Sequence, residues 1–222
     1  MQILVTDLTD MQDGHYCVAG WDSDGLRMVR PLPDGRHWLH DLVTHNHVAL
    51  GVTIQVTPTG RRHPGEFPHT TEDLDVDADS IRFIRRGPVR WFGQESPPTV
   101  ATISEAFAGN VRCNSAFDGV QQGVHILTKT IGPSLAAISI LPASIQFVAV
   151  FGKLKAVVDD GEAKYQLAVS CHRLKAAWRD GGIEGAKRSL PDAPRLHVRL
   201  GLARGFGDAP EKCYMMINGI HG

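Results

Sequence analysis

The chain has 222 residues, 24 acidic against 23 basic side chains, 42% hydrophobic residues and a net charge of −1. That length suits one large or two small domains with a core that needs no covalent staples. A near-neutral total excludes a molecule whose whole surface is drawn to nucleic acid or to a membrane.

Residues 1–8 read as an apolar strand with no basic n-region, so no secretory signal is expected. No apolar run approaches the ~20 residues that span a bilayer, and the expected location is cytoplasmic. Residues 15–21 and 26–32 flank the turn residues Asp22-Ser23-Asp24-Gly25 in the manner of a hairpin. Side chains alternate along a strand, so Leu26, Met28 and Arg30 share one face and Arg27 and Val29 the other. Pro31 ends regular pairing or sets this strand at an edge. Residues 37–44 read as a weak helical turn, and 48–57 as a strand bent at Gly51. Polar residues 58–79 read as a long surface loop, 80–86 as a strand, 87–98 as a connector and 102–108 as a short helix.

The second half repeats the style. Residues 124–128, 135–141 and 145–158 read as strands, and Asp159-Asp160-Gly161 turns the chain into a strand over 164–171. There Tyr165, Leu167 and Val169 alternate with polar positions. A stretch rich in Gly, Pro and Arg covers 180–194, and strands at 196–202 and 213–220 close the chain. The predicted fold class is mostly β: two OB-like five-stranded β-barrels docked together, with short helices and a long loop. The N-terminal barrel is placed at 1–95, a connector with a short helix at 96–122, and the C-terminal barrel at 123–222. A single ten-stranded β-sandwich is the alternative. Linker chemistry supports the division, since Pro97-Pro98 blocks regular pairing and polar residues precede it. Cys17, Cys113, Cys171 and Cys213 lie far apart with no CxxC pair, which points to reduced thiols and no cofactor.

The blocks ILVTDLT (3–9), CVAGWD (17–22) and GLRMVRPL (25–32) resemble the start of the bacterial dual OB-containing domain family. YQLAVSCHRL (165–174), RLHVRLGLARGF (195–206) and CYMMINGIH (213–221) resemble its later strand-turn segments, and 133–147 matches more loosely. The likeness spans most of the chain outside 58–80 and 87–120. It implies two OB-type domains and an association with prokaryotic defence or mobile-element neighbourhoods. One block departs from the family: residues 169–174 read VSCHRL where an Asp is expected, while Asp7 keeps the counterpart in the first half.

The strongest surface pattern is the run 82–92, in which Arg82, Arg85, Arg86 and Arg90 interleave with Phe83, Trp91 and Phe92. Guanidinium groups neutralise phosphates and exposed rings stack on bases, the pairing that single-stranded nucleic acid requires. The bland alternative makes Phe83 and Trp91 core and pairs the arginines with acids at 72–79. Charge adds direction: residues 1–111 hold 9 Lys/Arg and 15 Asp/Glu, and residues 112–222 hold 14 and 9. A polyanion would meet the second half or the arginine run. In Gly201-Leu202-Ala203-Arg204-Gly205-Phe206-Gly207, glycines around Arg204 allow close backbone approach to a ligand, or simply make a turn. His37, His40, His45 and His47 could fold three imidazoles around zinc, although their spacing is not that of known zinc motifs; the alternative is partly exposed surface histidines. Asp7, Asp10 and Asp13 suit turn capping, or Mg²⁺. No local catalytic motif is present, so a binding role is expected rather than an enzymatic one. The expectation is a nucleic-acid-binding module for single-stranded DNA or RNA, accessory to a defence or mobile-element system. A protein-interaction scaffold is the alternative, and a small-ligand sensor or enzyme the second. The predicted interface is Arg82, Arg85, Arg86, Arg90, Trp91 and Arg204.

Overall fold

The computed structural model describes residues 1–61, 65–87, 98–205 and 207–222. The chain divides into two compact units, residues 1–65 with 70–97 and residues 66–69 with 98–222.

Among the described residues the first unit holds β1 (Gln2–Asp10), β2 (His15–Asp22), β3 (Arg27–Pro33), β4 (Trp38–Leu39), α1 (His40–His45), β5 (Val52–Gln55), β6 (Asp73–Val76) and β7 (Arg82–Arg86). The seven strands form one sheet in the order β6-β3-β2-β1-β5-β7, with β4 on β2. Alternation builds its core: Ile3 and Val5 of β1, Val52 and Ile54 of β5, and Val76 of β6 are all buried. Full burial of such a side chain contributes roughly 1.5–3 kcal/mol. Trp38, fully enclosed, donates its indole N–H to the Pro31 carbonyl at 2.7 Å, which supplies the partner a buried indole needs.

Part of the expected loop 58–79 is a strand. β6 runs parallel to β3, pairing Arg30 with Asp73 and Leu32 with Asp75. Its sequence Asp-Leu-Asp-Val has the two-residue period of a strand, but the acids gave it the look of a surface segment. Arg30 makes the acid tolerable inside, holding the Asp73 carboxylate at 2.6 Å.

The second unit holds α2 (Ile103–Ala106), β8 (Ser115–Phe117), β9 (Val120–Gln122), β10 (His125–Leu127), β11 (Leu135–Ile140), β12 (Ile145–Val150), β13 (Lys153–Asp159), β14 (Lys164–Val169), α3 (His172–Arg188), β15 (Leu196–Leu202) and β16 (Lys212–His221). Nine strands form its sheet, in the order β11-β15-β16-β14-β13-β12, with β10 on β16 and β9 joining β8 to β14. Its separate core gathers Phe147, Leu167, Leu174, Val198, Leu200 and Ile217, among others. Residues 98–122 belong here: Thr102 caps α2 by accepting from the Glu105 N–H at 3.1 Å, and Ile103 and Phe107 are buried in the second core.

The expected five strands per half become seven and nine among the described residues, and neither sheet order closes into a barrel. The extra strands β4, β6, β8 and β9 are two to four residues long and sat in segments read as helix, loop or connector, and the single strand expected over 145–158 is a hairpin of two, β12 and β13, turning at Phe151-Gly152, where both residues have positive φ. α3 was also missed, because Gly181 and Gly182 inside it read as a turn. They do break it: Gly181 and Gly182 leave helical geometry. The chain then returns so tightly that a Cβ on Gly185 would collide with the Ala177 carbonyl.

Candidate nucleic-acid interface

β7 lies at one end of the first sheet and pairs with β5, and all five of its residues are exposed. Val52 faces Arg86, Thr53 faces Arg85, Ile54 faces Phe83 and Gln55 faces Arg82, with a register shift that leaves Ile84 without a partner. This is a β-bulge, and it re-aims the side chains around it. Residues directly opposite each other share a face. Phe83 and Arg86 therefore lie on the face of the core residues Ile54 and Val52, and Arg82 and Arg85 lie on the other. Simple alternation would have put Phe83 and Arg85 together.

Phe83 is 44% exposed and Ile84 39%, so Phe83 shares the face of the core residues without being enclosed among them, which corrects the alternative that made it core. Among the described residues Arg82, Arg85 and Arg86 do not pair with side-chain carboxylates at 72–79 either. Arg82 donates to the Asp79 and Ile81 carbonyls at 2.6 and 2.7 Å. Asp73 is taken by Arg30, and Asp77 accepts the Asp79 N–H at 2.9 Å. No acid among the described residues pairs with Arg85 or Arg86. Arg90 and Trp91, with Phe92, lie outside the described residues.

His47 joins Phe83 from the end of α1. Their ring centroids stand 6.2 Å apart at an interplanar angle of 83°, an edge-to-face contact. The helix end explains the placement. The Val48 N–H returns to the Val43 carbonyl at 2.9 Å and the His47 N–H to that of Thr44 at 3.1 Å. That bond pair is a Schellman motif, whose first residue past the cap adopts the left-handed conformation and is usually glycine. His47 fills it at φ 52°.

The other expected sites are dispersed. Arg204 stands in the second unit, after β15. The glycines near it answer to packing: a Cβ on Gly201 would strike the Asn218 side chain, and one on Gly205 the Pro210 carbonyl. Phe206 lies outside the described residues. The four histidines do not converge. His37 and His45 line a cleft of about 720 Å³ with His15, Arg36, Asp34 and Asp41, while His40 meets Tyr16 at 3.4 Å and His47 goes to Phe83. Asp7 is buried and accepts from Thr6 Oγ1 at 2.6 Å, whereas Asp13 sits in a turn at φ 56°. Among the described residues no three His, Cys, Asp or Glu side chains gather so as to hold a metal ion. No helix among them is long and apolar enough to cross a membrane.

Sequence reasoning missed the charged cluster inside the first unit. Burial works against the Arg30 charge, but Cys17, Asp73 and Glu72 around it outweigh that and hold its pKa above the ordinary arginine value. Burial pushes the Cys17 thiol up, against the opposing pull of Arg30. The available signal was an arginine in the middle of the apolar run LRMVRPL.

No family model matches the chain, and no curated protein matches it. Among solved structures it is similar to the tetrameric p202 HIN2, at 8% identity over 98% of this chain and 90% of that one, with a TM-score of 0.32. A likeness of that size places neither the fold nor the function of this chain.

Proposed function

We propose that the chain is a nucleic-acid-binding module that takes single-stranded DNA or RNA along β7. In this reading each unit is an OB-like module, and the chain is a dual OB-containing protein acting beside a prokaryotic defence or mobile-element system, as the sequence blocks above suggest. The observation that carries the binding role is the exposure of Arg82, Arg85 and Arg86 together with Phe83 on one terminal strand. Guanidinium groups with no carboxylate partner among the described residues can neutralise phosphates, and an exposed ring offers a surface for a base.

The test is fluorescence anisotropy with labelled single-stranded DNA and RNA across a salt series. Binding should weaken with salt, the logarithmic slope being about −0.7 for each phosphate neutralised. The triple variant Arg82→Ala/Arg85→Ala/Arg86→Ala should lose both the affinity and that slope. Absence of salt-sensitive binding at micromolar protein in low salt would overturn the proposal.

A second reading, a protein-interaction scaffold, draws on the same strand. β7 has a sheet neighbour on one side only among the described residues, and such an edge can accept a partner's strand. A partner pulled down equally well after nuclease treatment would favour it, and one lost on treatment would favour nucleic acid.

A further inference from the structure

The bulge at Ile84 separates two kinds of surface on β7. The face shared with Ile54 and Val52 carries Phe83 and Arg86, and the opposite face carries Arg82 and Arg85. On the first face one step of the β5 ladder lies between Phe83 and Arg86, because Ile54 and Val52 are two residues apart; the interval is about 6.6 Å at the usual strand rise. That is the scale on which one ring and one cation can hold a base and an adjacent phosphate of one strand. The ring is braced from the side by His47, edge-to-face at 6.2 Å, and remains 44% exposed. His47 is itself exposed, and it occupies a helix-terminal position where glycine is the ordinary choice. Its side chain is therefore not what that turn requires.

We propose that Phe83, His47 and Arg86 form a one-nucleotide subsite. A base stacks on the Phe83 ring, the adjoining phosphate meets Arg86, and His47 is a positioning residue that fixes the ring. Arg82 and Arg85 contribute charge from the other face and do not share the nucleotide. This rests on the single-strand reading above and adds to it a division of labour that the sequence order Arg-Phe-Ile-Arg-Arg does not show.

The experiment uses the full chain and a single-stranded oligonucleotide with one 2-aminopurine, followed by anisotropy for affinity and by 2-aminopurine quenching for stacking. Phe83→Ala should abolish the quenching and weaken binding about 5- to 150-fold, the range for one stacked base, with the salt slope unchanged. Arg86→Ala should lower the slope by about 0.7. The losses from Phe83→Ala and Arg86→Ala should be coupled, whereas those from Phe83→Ala and Arg85→Ala should multiply independently. His47→Gly keeps the turn and removes the ring, so it should reduce quenching without changing the slope.

If the wild-type chain shows no salt-sensitive binding, the single-strand reading falls and the subsite with it. If binding is present but Phe83→Ala quenches as fully as wild type, the subsite alone is overturned. Equal coupling of Phe83 to Arg85 and to Arg86 would overturn the assignment of faces.

Discussion

Arg30 and Asp73 are the sharpest single-residue commitment in the first unit. Their side chains are 5% and 0% exposed and meet at 2.6 Å. A buried ion pair adds little over an apolar pair of the same shape, but removing one partner strands a charge. Asp73→Ala should cost about 3–5 kcal/mol in urea denaturation, and Arg30→Met/Asp73→Leu together should recover much of that loss. The cysteines give a second measurement. Burial pushes the thiols of Cys17 and Cys213 up, while Cys113 is exposed. A thiol must ionise to react, so alkylation of the native protein at pH 8 should modify Cys113 first. The same shifts set a pH dependence. In the unfolded chain these thiols ionise near their ordinary value of about 8.5, and in the folded chain they hold their protons to higher pH. Their contribution to stability is complete below that value and is lost as pH rises above it. Urea midpoints should fall between pH 8 and 10, and Cys17→Ala/Cys213→Ala should flatten the fall. At this scale the sequence disclosed which residue types cluster in 82–86, but not where they point. One unpaired residue, Ile84, decides that Phe83 and Arg86 share a face, and a bulge leaves no mark in an alternating pattern.

Among the elements, those legible in the sequence were the long apolar or alternating runs, such as β1, β14, β15 and β16. The short strands β4, β6, β8 and β9 escaped because they borrow their stability from neighbours: β6 holds through Arg30, and β4 has Trp38 sunk in the core. α3 escaped because it is broken, and its break makes a prediction. Gly185 lies so close to the Ala177 carbonyl that a methyl group cannot fit without movement. Gly185→Ala should cost about 1–3 kcal/mol, as overpacking does, despite the better helix propensity of alanine. A melting series that found Gly185→Ala neutral or stabilising would remove the close approach. β7 makes another. Charged side chains on a terminal strand discourage strand-to-strand association, and Arg82, Arg85 and Arg86 stand in that position. Replacing all three by threonine should raise self-association, read by sedimentation velocity, while the melting temperature changes little.

For the molecule as a whole, two cores and two sheets were legible from turn chemistry and strand count, whereas the path of the chain between them was not. One passage falls between Pro97 and Pro98. The segment Glu66–His69 clusters with the second unit although strands of the first lie on both sides of it. There His69, 4% exposed, donates its Nε2–H to the Leu202 carbonyl at 2.9 Å. His69→Ala leaves that carbonyl unpaired and should lower the stability of the second unit by about 1–3 kcal/mol. Amide exchange over β15 would show it as faster opening, and unchanged protection there would count against the anchor.

That early segment also sets a clock. During synthesis His69 is made 133 residues before the carbonyl it will meet. At 5–20 residues per second, the interval is roughly 7–27 s. Through that time the nascent chain holds β6 and β7 on one side of His69 and β1 to β5 on the other. The first sheet can assemble while its own linking segment waits for a partner that the ribosome has yet to deliver.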